Sequence, residues 1–507
     1  GSDITEFLCF HRFILAQQHH RNVKMDRLVV LEKTKIMITI NLQNNNIGRV
    51  FCSLELLNKL RKEFRLRADG YFYSPKFRSR QWDGYVHYIR ESGIFDLGMF
   101  PMVYAKLGEW GEEINIVDQR TTINVKPKLP KELGNFKLRD YQMEGVKMII
   151  NNKVGGVPFP RGLIHQATNA GKNLLAASIY AAYKKPNTLF IVNRTHIYEQ
   201  AMEELGELYP EDIGHIGPKS GSTKYRGVKW GNFMVCMIQS IAHLDTPQIS
   251  QFQAVIVDEC HYASTFKWLL NRLPNAYIKI GMSGTINKHK DKNKNQKIIS
   301  YFGDILHKIT NAELIDKGHS TPVRVTILNG NTTVNVKGDF KKEETLGLIF
   351  NKERNKKAIK RITYQVGKGR LPILVICKYH NHTEHIYEKI KINFPELNTD
   401  YIHVGVKDRL EILQKFKEGK IDILVSSLLI KEGKNLPLIR YLCYLAGGDS
   451  MITLLQVLGR LLRKHSSKSI VYFDDFYDIG SYLKRHSNHR IKEFKKEKLK
   501  VIEKYSK

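Results

Sequence analysis

Residues 254–261 read Ala254-Val-Ile-Val-Asp-Glu-Cys-His261, an apolar run that stops abruptly on two acids. A continuous Val/Ile run suits a parallel strand covered on both faces, and in open α/β sheets ligands bind outside the carboxyl ends of such strands. The stretch therefore predicts a buried strand that delivers Asp258, to hold Mg²⁺, and Glu259, to polarise an attacking water. An isolated Asp-Glu pair more often marks only a strand followed by a solvated turn, so the surroundings decide between the two readings.

Upstream, Gly162-Leu-Ile-His-Gln-Ala-Thr-Asn-Ala-Gly-Lys-Asn173 runs into the helical stretch Leu174–Tyr183. A strand, a small-residue turn and a helix form the context in which backbone N–H groups cradle phosphates, with Lys172 reaching the terminal ones. The match to a P-loop departs at three places. Gln166 stands where Gly is usual, Asn169 likewise, and Asn173 replaces the Ser/Thr that ligates Mg²⁺. An amide oxygen can still approach the metal, as a bulkier and poorer ligand. Further strands are predicted at Thr188–Val192, followed by Asn193-Arg194-Thr-His and a helix Ile197–Leu208; at Phe233–Ile238, ending on Gln239-Ser240; and at Tyr277–Met282, leading into Ser283-Gly284-Thr285. Residues 215–231, rich in Gly and Lys, read as a mobile basic loop, and the Lys/Asn-rich 287–298 as an exposed loop. This βα alternation predicts a doubly wound parallel sheet.

Ahead of it, Arg139-Asp-Tyr-Gln142 opens an amphipathic helix and could read an adenine edge. Farther along, a second α/β unit runs through Leu371–Cys377, Ile421–Ser427 and Ser469–Phe473, with Glu432-Gly433-Lys-Asn435 and a helix bearing Gln456, Arg460 and Arg463. Arginines three residues apart on a helix share a face and can approach one anion. Ordinary surface ion pairs are the plain alternative.

A chain of 507 residues exceeds one hydrophobic core, which predicts about two to four domains. Its formal net charge of +31 points to a polyanion, nucleic acid first and an anionic membrane surface second. The sequence has no apolar run of the roughly 20 residues that a membrane span needs and no visible signal peptide, so a soluble cytoplasmic protein is expected. The six cysteines, Cys9, Cys52, Cys236, Cys260, Cys377 and Cys443, form no Cys-x-x-Cys pair, which suggests neither a zinc site nor a disulfide framework. The leading Gly1-Ser2 reads as an expression remnant.

Residues 3–125 read as a small basic α+β domain, with strands at Leu28–Val30 and Ile36–Ile40, a helix at Leu54–Phe64, and a linker near Lys126–Pro130. Between Arg65 and Arg90 the cations Arg65, Arg67, Lys76, Arg78 and Arg80 interleave with aromatics that include Tyr71, Phe72, Tyr73, Trp82 and Tyr85. Aromatics stack on bases while cations hold phosphates. The same aromatics could equally fill a small core with the charges solvated outside.

Taken in order, these motifs resemble the superfamily 2 helicases over roughly Phe136 to Phe473. That resemblance implies two RecA-like motor domains, 132–310 and 351–483, joined by a connecting region 311–350 and followed by a basic helix or tail 484–507. It implies ATP and Mg²⁺ in the inter-domain cleft. Arg139 and Gln142 would read adenine, Thr168 to Asn173 would form the phosphate loop (Thr168, Asn169, Ala170, Gly171, Lys172, Asn173), and Asp258 and Asn173 would face the metal. Ser283, Gly284 and Thr285 would couple hydrolysis to movement, Glu432 and Gly433 would border the cleft, and Gln456, Arg460 and Arg463 would form the arginine-finger helix. Asn435 stands where the family often has Asp. Within the superfamily the likeness is to phage helicases of the UvsW type, through Arg80-Gln-Trp82-Asp-Gly84 in the N-terminal domain. It implies a motor on single-stranded and branched DNA, in the bacterial host cytoplasm if phage-encoded, and no obligate protein partner is evident. Nucleic-acid contacts are expected from Arg65, Arg67, Lys76, Arg78, Arg80, Trp82, Arg194, Gln239 and Ser240. Two other functions fit the residues: an RNA helicase of the same superfamily, and a DNA-binding scaffold with a degenerate ATP site.

Overall fold

The strand Ala254–Asp258 is buried along its whole length and sits inside an eight-stranded sheet. In this computed structural model, residues 37–505 are described apart from 168–169, 221–222, 266–268, 270, 287–290, 331–338, 430–435 and 437. Across the sheet the order is Val228–Lys229, Ile213–Ile216, Phe233–Met237, Thr188–Val192, Ala254–Asp258, Ile278–Ser283, Arg161–Gln166 and Ile305–Ile309. Every pairing is parallel except that of the edge strand Val228–Lys229. The apolar runs Thr188–Val192 and Phe233–Met237 are buried at each residue, as two helical layers require.

A second sheet of seven strands, all parallel, has the order Thr399–Ile402, Ile423–Ser426, Ile373–Ile376, Tyr441–Tyr444, Val471–Tyr477, Val323–Asn329 and Lys500–Lys504. Two expectations change here. Val323–Asn329, read as part of a connecting region, is an inner strand of this sheet, paired on both sides. The basic segment 484–507 is no separate tail. Helix Ser481–Lys496 packs on the sheet and Lys500–Lys504 forms its edge. The helix is held by Arg490, whose buried guanidinium donates to both oxygens of Asp475 at 2.8 and 3.1 Å. A carboxylate paired in this two-pronged geometry compensates the desolvation of both ions.

The N-terminal unit contributes a four-stranded sheet in the order Ile94–Asp96, Ile47–Phe51, Ile38–Leu42, Ile114–Asp118, with helices Leu54–Glu63 and Phe100–Glu109. The strand expected at Leu28–Val30 lies outside the described residues. This unit is packed against the first lobe. At Gly98 a Cβ would meet the carbonyls of Ile299 and Ser300 at 2.5 and 2.6 Å, so backbone touches backbone there. Those carbonyls belong to helix Lys292–Phe302, where an exposed loop was expected. Asp291 caps this helix by accepting from Asn293 N at 2.8 Å, and Ile298, Tyr301 and Phe302 face the core, so apolar burial outweighs its Lys/Asn-rich exposed face. The basic stretch 215–231 folds back as the antiparallel pair Ile213–Ile216 and Val228–Lys229, and Tyr198 donates its hydroxyl to Tyr225 O at 3.0 Å.

Candidate active site

Strand register sets the site. Asp258 pairs with Met282 and His165 with Ser283, so the ends of three adjacent strands converge on one edge. The phosphate-loop lysine starts helix Lys172–Ala182, directly after Gly171 in the left-handed region at φ 76°. Its ammonium lies 2.8 Å from Asp258 Oδ1 and 2.5 Å from Glu259 Oε1. Glu259 itself has φ 51°, a conformation that L residues adopt at a cost of about 1–2 kcal/mol. The turn aims its second oxygen, Oε2, at Ser283, whose hydroxyl donates at 3.0 Å.

Around that carboxylate is a compact relay. His261 Nδ1 lies 2.9 Å from Ser283 Oγ, 3.1 Å from Thr285 Oγ1 and 3.2 Å from Glu259 Oε2. His165 Nε2 reaches Gly284 O at 3.0 Å, tying the strand that leads into the phosphate loop to the Ser-Gly-Thr turn. Burial works to raise the Glu259 pKa, but the charges and hydrogen bonds of Lys172 and His261 outweigh it and hold this carboxyl below its ordinary value. For Asp258 burial dominates and, with the neighbouring Glu259 charge, pushes the pKa up against the pull of Lys172. Lys172 is raised: burial opposes its charge, and the two carboxylates more than compensate.

Gln142 is buried and accepts from Arg139 N at 3.0 Å while donating to Ala170 O at 3.1 Å. Tyr141 donates to the same carbonyl at 3.0 Å and receives Arg139 Nη1 at 2.9 Å. The Arg139–Gln142 segment thus fastens helix Asp140–Asn151 to the phosphate loop. Tyr141 was not among the sequence-derived candidates. Asn173 sends its amide nitrogen to Glu204 Oε2 at 2.8 Å, and Glu204 Oε1 receives Gln200 at 2.6 Å. Hard oxygen donors suit Mg²⁺, and the Asp258 carboxylate fits that role. Asn173 could contribute only its remaining amide oxygen.

From the second lobe, helix Met451–Leu461 carries Gln456 and Arg460. Arg463 lies past the helix end, beyond the cap residue Leu462, so the two arginines do not share a helical face as expected. Burial lowers the Arg463 pKa, and the charge of Glu204 in the first lobe opposes this. Its Nε is buried without a hydrogen-bond partner among the described residues. Thr168, Asn169, Glu432, Gly433 and Asn435 lie outside the described residues.

Arg194 precedes helix Thr195–Leu208 at the carboxyl end of Thr188–Val192, and the exposed Gln239 and buried Ser240 follow Phe233–Met237, so all three lie along the same sheet edge. In the N-terminal unit Arg65 and Arg67 stack on Tyr85 at 4.0 and 4.1 Å, on the short pair Arg65–Arg67 and Tyr85–His87. Arg78 donates to Phe72 O at 3.2 Å, and Lys76 and Arg80 are exposed. Trp82 donates its indole N–H to Tyr85 O at 2.8 Å, a bond internal to this wing, whereas Phe72 and Tyr73 are 50% and 70% exposed. The aromatics therefore divide between packing and display.

Three family models match successive parts of the chain: "DNA helicase UvsW, N-terminal" over 37–117, "Type III restriction enzyme, res subunit" over 135–288 and "Helicase conserved C-terminal domain" over 355–465. The ATP-dependent DNA helicase uvsW of Enterobacteria phage T4 is 23% identical over 497 residues, covering 90% of this chain and 96% of that protein. A putative ATP-dependent helicase, IRC3, of Saccharomyces cerevisiae is 25% identical, covering 68% of this chain and 52% of its own length. Among solved structures, the fragment of a putative HsdR subunit of a type I restriction enzyme from Vibrio vulnificus YJ016 matches with a TM-score of 0.50 at 22% identity, covering 67% of this chain and 64% of that one. Two parallel-sheet lobes in this motif order, preceded by a UvsW-type N-terminal domain, make the chain a member of the superfamily 2 helicases.

Proposed function

We propose that this chain is an ATP-driven DNA helicase or translocase that unwinds or branch-migrates forked and junction DNA. The observation that carries the reading is the placement of Lys172 against both Asp258 and Glu259, with Glu259 wired through Ser283 to His261 and Thr285. Lys172 would hold the terminal phosphates and Asp258 the metal, while Glu259, kept ionised, would accept a proton from the attacking water. Asp258 would hold the Mg²⁺, which would supply neutralisation of the charge that develops in transfer. Gln142 and Arg139 would orient the base. Arg463, brought from the other lobe, would stabilise charge on the transferred group when the cleft closes. Ser283 and Thr285 would pass a change at Glu259 into the sheet edge that carries Arg194, Gln239 and Ser240, where a strand would lie.

DNA as the substrate is supported by the net charge of +31, by the match of the N-terminal model and by the stacked cation–aromatic wing. The test is ATP turnover and strand displacement on a panel of single strands, forks, four-way junctions and RNA. DNA-stimulated turnover with displacement on branched substrates is expected. Stimulation by RNA alone would reassign the substrate, and absence of turnover would leave a binding scaffold.

A further inference from the structure

Between the lobes the chain passes through helix Asn311–Asp316 and a short crossover to strand Val323–Asn329. Leu314 anchors the start of this crossover in a buried cluster with Tyr141, Ala167, Ala170 and Ile309, directly beneath the phosphate loop. The chain then reverses at Gly318, φ 68°, and both His319 N and Ser320 N donate to Leu314 O, at 2.7 and 3.0 Å. The His319 ring meets Tyr141 edge-on at 5.6 Å, and Tyr141 holds Ala170 O. At its far end the crossover grips the second lobe through Thr321 and through Pro322, whose carbonyl accepts from Val471 N at 2.9 Å. Thr321 is buried, donates its N–H to Leu462 O at 2.8 Å, and donates its hydroxyl to Arg463 O at 3.2 Å.

Those carbonyls follow the end of helix Met451–Leu461, where no intrahelical donor exists. The preceding carbonyl, Leu461 O, is taken by buried Lys468 at 2.7 Å. Three successive carbonyls are therefore fixed, and the backbone of residue 463 is fixed by the Thr321 hydroxyl. The guanidinium it carries has an uncommitted, buried Nε among the described residues. A pinned main chain with an unspent donor is what a cation awaiting an anion requires.

We propose that Thr321 is the positioning residue of Arg463, so that the inter-lobe crossover, seated on the phosphate loop through Leu314 and His319, sets where the arginine stands. This rests on the reading of Arg463 as the cleft arginine. The test is DNA-stimulated steady-state ATPase of the full chain for Thr321→Val, Thr321→Ser, Arg463→Ala and the double variant Thr321→Val/Arg463→Ala, with melting temperatures measured alongside. Thr321→Val should lower kcat by about fivefold, the rate equivalent of one hydrogen bond, with KM for ATP within about twofold. Thr321→Ser should restore most of the rate. In the Arg463→Ala background the valine change should cost nothing further, because its effect runs through that arginine. An equal loss in both backgrounds, or an unchanged kcat in Thr321→Val beside a large loss in Arg463→Ala, would overturn the positioning role. An unchanged kcat in Arg463→Ala would instead remove the arginine reading itself. If Thr321→Val melts early, the serine variant decides: failure to restore kcat at a normal melting temperature counts against the proposal.

Discussion

A single ammonium joins the phosphate loop to the organising strand, since Lys172 touches both Asp258 and Glu259. Lys172→Ala and Glu259→Gln should each lower ATP turnover by orders of magnitude and leave DNA affinity within a few fold, measured by DNA-stimulated ATPase and by binding titration. Normal turnover in either variant would remove the motor reading. The pair Asp258 and Glu259 was legible because the apolar run and the acids are contiguous in sequence. The wiring of His261 to Ser283 and Thr285 was not, because it depends on the register that sets Asp258 beside Met282. Glu204 escaped for a related reason: on its own helix it is a surface carboxylate with Gln200 one turn away, and only the fold brings it to Asn173. That hydrogen bond bears on the departure at the phosphate loop. If Asn173 offers Mg²⁺ only an amide oxygen, Asn173→Thr should lower the Mg²⁺ concentration for half-maximal nucleotide binding, read with a fluorescent ATP analogue. A higher requirement would mean that the loop is built around the Asn173–Glu204 bond.

Elements with apolar runs, or with an apolar stripe as in helices Leu54–Glu63 and Thr195–Leu208, were legible, and the lysine-rich ones were not. Helix Lys292–Phe302 and strand Lys500–Lys504 present lysines to solvent, so composition hid an inward face that only packing reveals. Strand Val323–Asn329 fell within the expected connecting region because its partners Val471–Tyr477 and Lys500–Lys504 are far along the chain. Within the second lobe, helix His380–Asn393 carries a pH-sensitive group. His382 is buried, Nε2 lies 3.2 Å from Asn355 Oδ1, and Asn355 donates to Ile349 O at 2.9 Å. Burial, with Arg354 and His385 adding to it, pushes the imidazole down to about 3. Its ordinary value is about 6.5, so between the two the unfolded chain binds a proton that the folded chain refuses. Stability is fully present above about pH 6.5 and is lost progressively as the pH falls below it. Urea unfolding followed from about pH 7.5 to 5 should show this loss, and His382→Gln, which keeps a donor toward Asn355, should flatten it. An equal pH dependence in the variant would assign the acid sensitivity to other groups.

At the scale of the molecule, the N-terminal unit is seated on the first lobe. The sequence placed a linker near 126–130, yet Lys128 N donates to Ala182 O at 2.9 Å, and Ile123 and Leu129 pack on the core of that lobe. Asn46 Nδ2 donates to Asn271 O at 2.8 Å, and Tyr88 to Asn293 at 3.1 Å. Arg161 and Lys279, both buried at the amino ends of their strands, donate to Asn45 O and to Asn46 Oδ1. Phe159 of the first lobe is buried in the N-terminal core, 5.5 Å from Phe100. Deleting the unit therefore exposes part of the motor as well as removing the proposed DNA-binding surface. Uncovering a buried Phe costs about 1.5–3 kcal/mol. For a lobe of this size each kcal/mol lowers the melting temperature by roughly 2–4 °C, so removal of residues 3–125 should lower the melting temperature and the single-strand-stimulated ATPase together. The wing is better tested in the intact chain. Lys76, Arg78 and Arg80 are exposed, and their backbone can stay as it is while the charges go. Replacing all three by Ala should weaken four-way-junction binding similarly across sequences. It should also reduce the slope of log affinity against log salt by about one for each phosphate that is no longer held, leaving melting temperature and single-strand-stimulated ATPase near those of the parent. A motor gripping one strand translocates without the wing, whereas remodelling a branch requires a second grip that holds the duplex against it. Branch migration should therefore fall while single-strand turnover persists. If the triple variant migrates junctions at the parental rate with an unchanged salt slope, the wing does not hold DNA, and the branched-substrate reading loses its structural support.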